Sequence, residues 1–137
     1  MRRIVTRILV LAACFLVLGA CQDDAEKVTM HLSRGSAYQE AKDYPAAIIE
    51  YKNVLQIDPN NAAAHWGLAK GYLANQQSPE GFWELRETVR LDPDNHDARA
   101  QLSQLLLLGG DPDEALAQAE ELITRGGERG HIHRAQA

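Results

Sequence analysis

Apolar positions in this chain fall into two regimes. Ile8 to Leu18 is an unbroken apolar run of eleven residues, preceded by Arg2, Arg3 and Arg7. From Val28 onward, apolar residues return instead at three- and four-residue intervals, the spacing of helices with one buried face. Ala64, Leu68, Gly71 and Tyr72 mark one such stripe, and Phe82, Leu85, Val89 and Leu91 mark the next. The first run is shorter than the roughly 20 residues a membrane-spanning helix needs. With its basic flank it reads as a secretory signal.

Turn chemistry divides the second region. Gln56-Ile57-Asp58-Pro59-Asn60-Asn61 recurs as Arg90-Leu91-Asp92-Pro93-Asp94-Asn95, with Pro59 and Pro93 in the same register. A residue before proline is pushed out of the α region, so Asp58 and Asp92 end helices. Asn61 and Asn95 then stand where a side-chain oxygen can cap the next helix. Pro45, Pro79 and Pro112 fall in the first turn of a second helix, where a missing N–H costs nothing. The pattern predicts helical hairpins repeated at the spacing that separates Pro59 from Pro93.

The period and the residues that carry it resemble the tetratricopeptide repeat family. On residues 28–61 the small eighth and twentieth places hold Gly35 and Ala47. The eleventh and twenty-fourth hold Tyr38 and Tyr51, and the thirty-second holds Pro59. On 62–95 these places hold Ala69, Gly81, Tyr72, Leu85 and Pro93. On 96–127 they hold Ser103, Ala115, Leu106, Ala119 and Gly127. Departures fall at Arg34, where the family has leucine, and at the aromatic fourth place, filled here by His31, His65 and Arg99.

This resemblance implies an all-α fold, a tandem helix-turn-helix solenoid of three repeats and six helices. The repeats would span 28–61, 62–95 and a divergent 96–125. It places the closest crossing of the first hairpin where Gly35 meets Ala47, since a larger side chain there would overpack at about 1–3 kcal/mol. After Thr124 the pattern stops. Gly126, Gly127 and Gly130 each weaken a helix by about 1 kcal/mol relative to alanine, so residues 126–137 are expected to be a disordered tail. Leu105 to Leu108 make the preceding helix apolar nearly all round, as in helices that are buried. A third hairpin with no cover is expected to fray, or to self-associate through its C-terminal end.

The apolar run near the N-terminus closes on Leu18-Gly19-Ala20-Cys21, which resembles the lipobox of bacterial lipoproteins. That resemblance implies a signal peptide over 1–20, cleavage before Cys21, a diacylglycerol thioether on its sulfur and acylation of the new amino terminus. Each buried methylene contributes about 0.8 kcal/mol, so several acyl chains hold a protein where one would not. Residues 21–27 become a polar spacer. Gln22 follows the cysteine where aspartate would mark inner-membrane retention, implying the outer membrane and a periplasmic face. Without the signal, eleven Lys and Arg face nineteen Asp and Glu. Such an acidic balance argues against a nucleic-acid partner. Cys14 leaves with the signal and Cys21 carries lipid, so no disulfide is available.

Nucleotide-binding glycine loops, the G-x-S-x-G elbow and H-E-x-x-H are all missing from the sequence. His31, Ser33 and Ser36 share one helix without an orienting carboxylate. His131 and His133 form an H-x-H, but zinc needs three or four converging ligands. No enzymatic activity, metal or cofactor beyond the lipid is expected.

Binding remains. In the family, the first helix of each hairpin lines a groove. Carried over place by place, the fifth residues are Leu32, Trp66 and Ala100, the ninth are Ser36, Lys70 and Gln104, and the twelfth include Leu73 and Leu107. Leu32 stands where the family's carboxylate-clamping pattern has lysine, so the groove is expected to be apolar with one charge. Ile49 and Trp83 occupy a place that is usually polar on the opposite face, a candidate second contact. The chain is similar to tetratricopeptide lipoproteins of Gram-negative envelopes, above all the export-linked (PEP-CTERM, exosortase-type) members. This implies a membrane-anchored scaffold whose partner is another envelope protein or a peptide segment of one. Two rival readings are the non-catalytic front of a longer envelope protein or enzyme, and a self-associating structural module.

Overall fold

The computed structural model describes residues 23–135, with side chains for 23–126. The signal segment and Cys21 lie outside the described residues. Those residues hold six helices and no strand. Helix α1 covers 23–40, and Tyr44–Ile57 (α2) closes the first hairpin. Ala62–Ala74 (α3) and Ser78–Leu91 (α4) form the second, and His96–Gly109 (α5) and Pro112–Ala135 (α6) the third.

Caps set these boundaries as the turn chemistry predicts. Asn61 and Asn95 each accept, at 3.0 Å, the amide of the residue three places on, Ala64 and Ala98. Asp58 and Asp92 end α2 and α4, their amides donating to Val54 and Thr88 carbonyls. At the hairpin tips, the amides of Asp43, Gln77 and Asp111 donate back to the carbonyls of Tyr38, Tyr72 and Leu106. Each tip passes through a left-handed residue, Lys42, Gln76 and Gly110 in turn, so the repeat extends to backbone conformation. Only the third tip uses glycine, the residue without a Cβ penalty there.

Packing proceeds from neighbour to neighbour, as a solenoid requires. One core cluster joins Ala47, Ile48 and Tyr51 of α2 to Leu68 and Tyr72 of α3. A second joins Ala69, Leu85, Ala98, Leu102, Leu106 and Ala115, with Trp66, Phe82 and Val89 packed against it. Thr88, not marked by the apolar stripe, is fully buried in α4 and donates its hydroxyl to the Glu84 carbonyl at 2.8 Å.

Four expectations change. The side chain nearest Gly35 is the Tyr51 ring, one turn along α2 from Ala47: a Cβ on Gly35 would come within 2.8 Å of that ring, and one on Gly67 within 2.4 Å. The ring therefore fills the space between α1 and α3, and the two glycines admit it. The polar spacer belongs to α1, where Lys27 pairs with Asp23 at 2.8 Å and Asp24 at 3.3 Å. The expected tail continues α6 to Ala135. Glycine's propensity cost is small enough for context to override. Just before the glycines, Arg125 reaches Glu121 at 2.9 Å and Asp94, in the α4–α5 turn, at 3.2 Å. Finally, the four leucines of α5 divide: Leu106 is buried, Leu105 half-buried against the core, and Leu107 and Leu108 exposed.

Candidate protein-binding groove

The eight residues assigned to the groove do not share one environment. Ser36 and Lys70 meet across the first junction in a cavity of about 380 Å³, completed by Gln39, Glu40, Tyr44 and Ala74. Lys70 Nζ also lies 5.1 Å from the centroid of the Trp66 ring, within cation–π range. Trp66 is half-buried, one side against the second core cluster. It is thus partly core and partly surface. Further along, Ala100, Gln104 and Leu107 are exposed.

Leu32 and Leu73 serve packing instead. Leu32 is half-buried against the first core cluster. Leu73 covers Gly81, where a Cβ would fall 2.7 Å from its side chain. The surface left by these placements is a polar cavity at one end, the Lys70–Trp66 pair in the middle, and an apolar strip at Leu107.

The cavity floor is held in place from below. Tyr51 donates its hydroxyl to Gln39 Oε1 at 3.1 Å, while Gln39 Nε2 donates to the Gly67 carbonyl at 3.4 Å. Burial, and then the nearby Glu40 carboxylate, push the Tyr51 phenol above its ordinary pKa. The phenol stays a donor across the neutral range. On the opposite face Ile49 and Trp83 are exposed, with Trp83 set edge-on against Phe82 at 5.7 Å.

A set of polar contacts escaped the sequence reading. His31 Nδ1 lies 2.6 Å from Glu50 Oε2, and His65 Nδ1 lies 2.6 Å from Glu84 Oε2. In the third hairpin Arg99 donates to Gln118 Oε1 at 2.7 Å. These pairs recur at the same places of each repeat. His65 Nε2 and an Arg99 guanidinium N–H also reach the Pro59 and Pro93 carbonyls, both at 3.1 Å. His65 thus has an oxygen partner at each of its ring nitrogens. The place filled by an aromatic residue in the resembling family is here a polar rung that ties each hairpin shut and, in the second and third, pins the preceding turn. With its Nδ1 committed to Glu50, His31 is not oriented on Ser33 or Ser36, both of which are exposed. The signal was present in sequence as His31, His65 and Arg99 recurring in step with Glu50, Glu84 and Gln118. His131 and His133 lie in the part of α6 whose side chains are not described. Among the described residues no three His, Cys, Asp or Glu converge for a metal.

A solenoid of short helical hairpins with two exposed faces defines an interaction module of the tetratricopeptide type. The family's "TPR repeat" pattern matches residues 35–76 and its "Tetratricopeptide repeat" pattern matches 67–129, so the repeats are tetratricopeptide repeats. Among full sequences, the human mitochondrial import receptor subunit TOM34 is 35% identical over 86 residues, covering 55% of this chain and 28% of that protein. The BBSome complex member bbs-4 of Caenorhabditis elegans is 31% identical over 94 residues, 69% of this chain and 20% of that protein. The chain therefore spans less than a third of either relative. Among solved structures, MamA superposes with a TM-score of 0.71 at 16% identity, covering 76% of this chain and 61% of that one. The second TPR of Spaghetti (RPAP3), bound to an HSP90 peptide, gives 0.66 at 22% identity, covering 75% and 97%. At these identities the likeness is one of fold.

Proposed function

We propose that this chain is a non-catalytic adaptor of the bacterial cell envelope. It is held by lipid on Cys21, at the outer membrane facing the periplasm, and engages a peptide segment of another protein in an export or assembly system. The observation that carries the binding role is the Lys70–Trp66 pair. A flat aromatic surface with a cation above it lies between a polar cavity and the exposed Leu107, an arrangement suited to an extended segment with one acidic and one apolar anchor. A protein of like fold has been solved with a peptide bound, which supports the same mode here. Leu32 in place of the clamp lysine argues that the segment is read along its length rather than by a terminal carboxylate.

The test is a photocrosslinker at Gln104 in intact cells. A discrete adduct is expected, and Lys70→Glu, at a site that is not core, should abolish it while the protein stays helical. An adduct indifferent to Lys70→Glu would place binding elsewhere, with Trp83 and Ile49 as the next surface. For the anchor, Cys21→Ser should move the protein from the membrane to the soluble periplasmic fraction. Unchanged fractionation, or a parent protein without acyl mass, would overturn that half of the proposal.

A further inference from the structure

The period makes the chain's own junctions a template for surfaces left bare among the described residues. Where α3 packs on α2, Ile48 lies 3.0 Å from the point a Gly71 Cβ would occupy, and Tyr51 covers Gly67. Leu55 packs against the same core cluster. One repeat on, Phe82, Leu85 and Val89 of α4 take these places, all buried or half-buried in the second cluster. A further repeat on, the places fall on α6 at Leu116, Ala119 and Ile123. Leu116 is 59% exposed and Ile123 74%.

At the other end of the chain, α1 repeats the α3 surface that α2 covers. Ala64, Gly67, Leu68, Gly71 and Tyr72 correspond to Met30, Ser33, Arg34, Ala37 and Tyr38. All five α3 residues are buried and all five α1 residues are exposed. The faces fit in size as well. The Tyr51 ring requires glycine opposite, whereas Ala119 on α6 leaves room for Ser33. Charge agrees too. Inside the chain, Lys52 Nζ lies 5.5 Å from the Tyr72 ring, one turn along from Leu68. The corresponding residue on α6 is Glu120, and on α1 Tyr38 lies one turn from Arg34. The buried leucine of the internal junction is thus replaced by a cation, and the cation over the tyrosine one turn away by a carboxylate.

The lengths of the helices match at the same edge. Neighbouring helices run antiparallel, so the C-terminal end of α6 would lie beside the N-terminal end of α1. There α1 starts well before the place equivalent to the start of α3, while α6 runs on to Ala135, far past the place equivalent to the end of α2.

We propose that the occupant of the α6 face is α1 of a second copy of this chain. The copies would stack head to tail through a junction that continues the repeat period, with Arg34 of one copy against Glu120 of the next. Such an interface is heterologous and does not close on itself, so growth past two copies follows from its symmetry. The stack leaves the groove of every copy open, so it is independent of the binding role proposed above.

Sedimentation velocity over a concentration series of the purified full chain tests this. Wild-type protein is expected to form species that grow beyond two copies. Arg34→Glu or Glu120→Arg alone, both at exposed positions, should weaken association at least tenfold with unchanged helicity. Both changes in one chain should restore growth. Mixing the two single variants should restore growth as alternating copies, because each junction between unlike copies pairs a carboxylate with a cation, whereas junctions between like copies do not. A monomer at all concentrations would overturn the proposal. So would a closed dimer indifferent to Arg34→Glu, which would place the contact between two α6 faces.

Discussion

The two internal junctions occupy equivalent places yet are built on different plans. In the first, a tyrosine ring is held between Gly35 and Gly67, and its hydroxyl is used by Gln39. In the second, Leu85 takes the place of Tyr51, with Ala69 where Gly35 stood and Gln101 where Gly67 stood. The first junction thus depends on two missing side chains, while the second relies on aliphatic packing that tolerates more change. Repeats at a common period need not be exchangeable. Putting the third repeat in place of the second would set Gln101 under the Tyr51 ring.

The largest expected effect breaks the first junction alone. Gly67→Val puts carbon where the ring now lies, and the ring cannot retreat because Gly35 is close on its other side. A loss of about 3 kcal/mol in urea denaturation is expected, whereas Gln101→Val at the equivalent, half-buried place should cost far less. Adding Tyr51→Leu should return at least ~1 kcal/mol of the loss; a double variant no better than the single would mean that the ring is not the obstacle. Next comes the rung beside the second junction. His65→Ala strips Glu84 of its partner at 2.6 Å and frees the Pro59 carbonyl, a loss of about 1–3 kcal/mol, with faster amide exchange concentrated in residues 58–65. A smaller effect of opposite sign is expected at the second hairpin tip. Gln76 has φ of 61° where the third tip has Gly110, so Gln76→Gly should add about 1 kcal/mol; a destabilised variant would show that the left-handed turn is not strained. Smallest of all, Trp83→Ala on the convex face should shift the melting midpoint by less than the equivalent of ~0.5 kcal/mol, since 64% of that residue is already in solvent.

Helix boundaries were legible in the sequence because each depends on a residue with one strong local preference: Asn61 and Asn95 as caps, Asp58 and Asp92 before proline, Pro45, Pro79 and Pro112 in first turns. The hairpin architecture followed from their spacing. Long-range reach was not legible. Family places suggested that Gly35 meets Ala47, but the Tyr51 ring is long enough to lie between helices of different hairpins. The rungs were hidden for a related reason. Histidine at a place the family fills with an aromatic residue reads as a departure until its carboxylate partner, on the second helix of the hairpin, is seen to recur with it. Leu73 was assigned to the groove by place but is drawn into the hairpin by Gly81. The end of α6 was misjudged because three glycines weaken a helix without forbidding one.

The position of the two tryptophans has a consequence for spectroscopy. The chain holds two, Trp66 beside Lys70 on the groove face and Trp83 on the face opposite. One indole is half-buried beneath an ammonium group and the other is largely in water, so their emission bands should separate, Trp83 lying further to the red. Trp83→Phe would leave a single emitter on the groove, and Trp66→Phe a single emitter on the back. The protein can therefore report, without any attached dye, which of its two faces a ligand has touched.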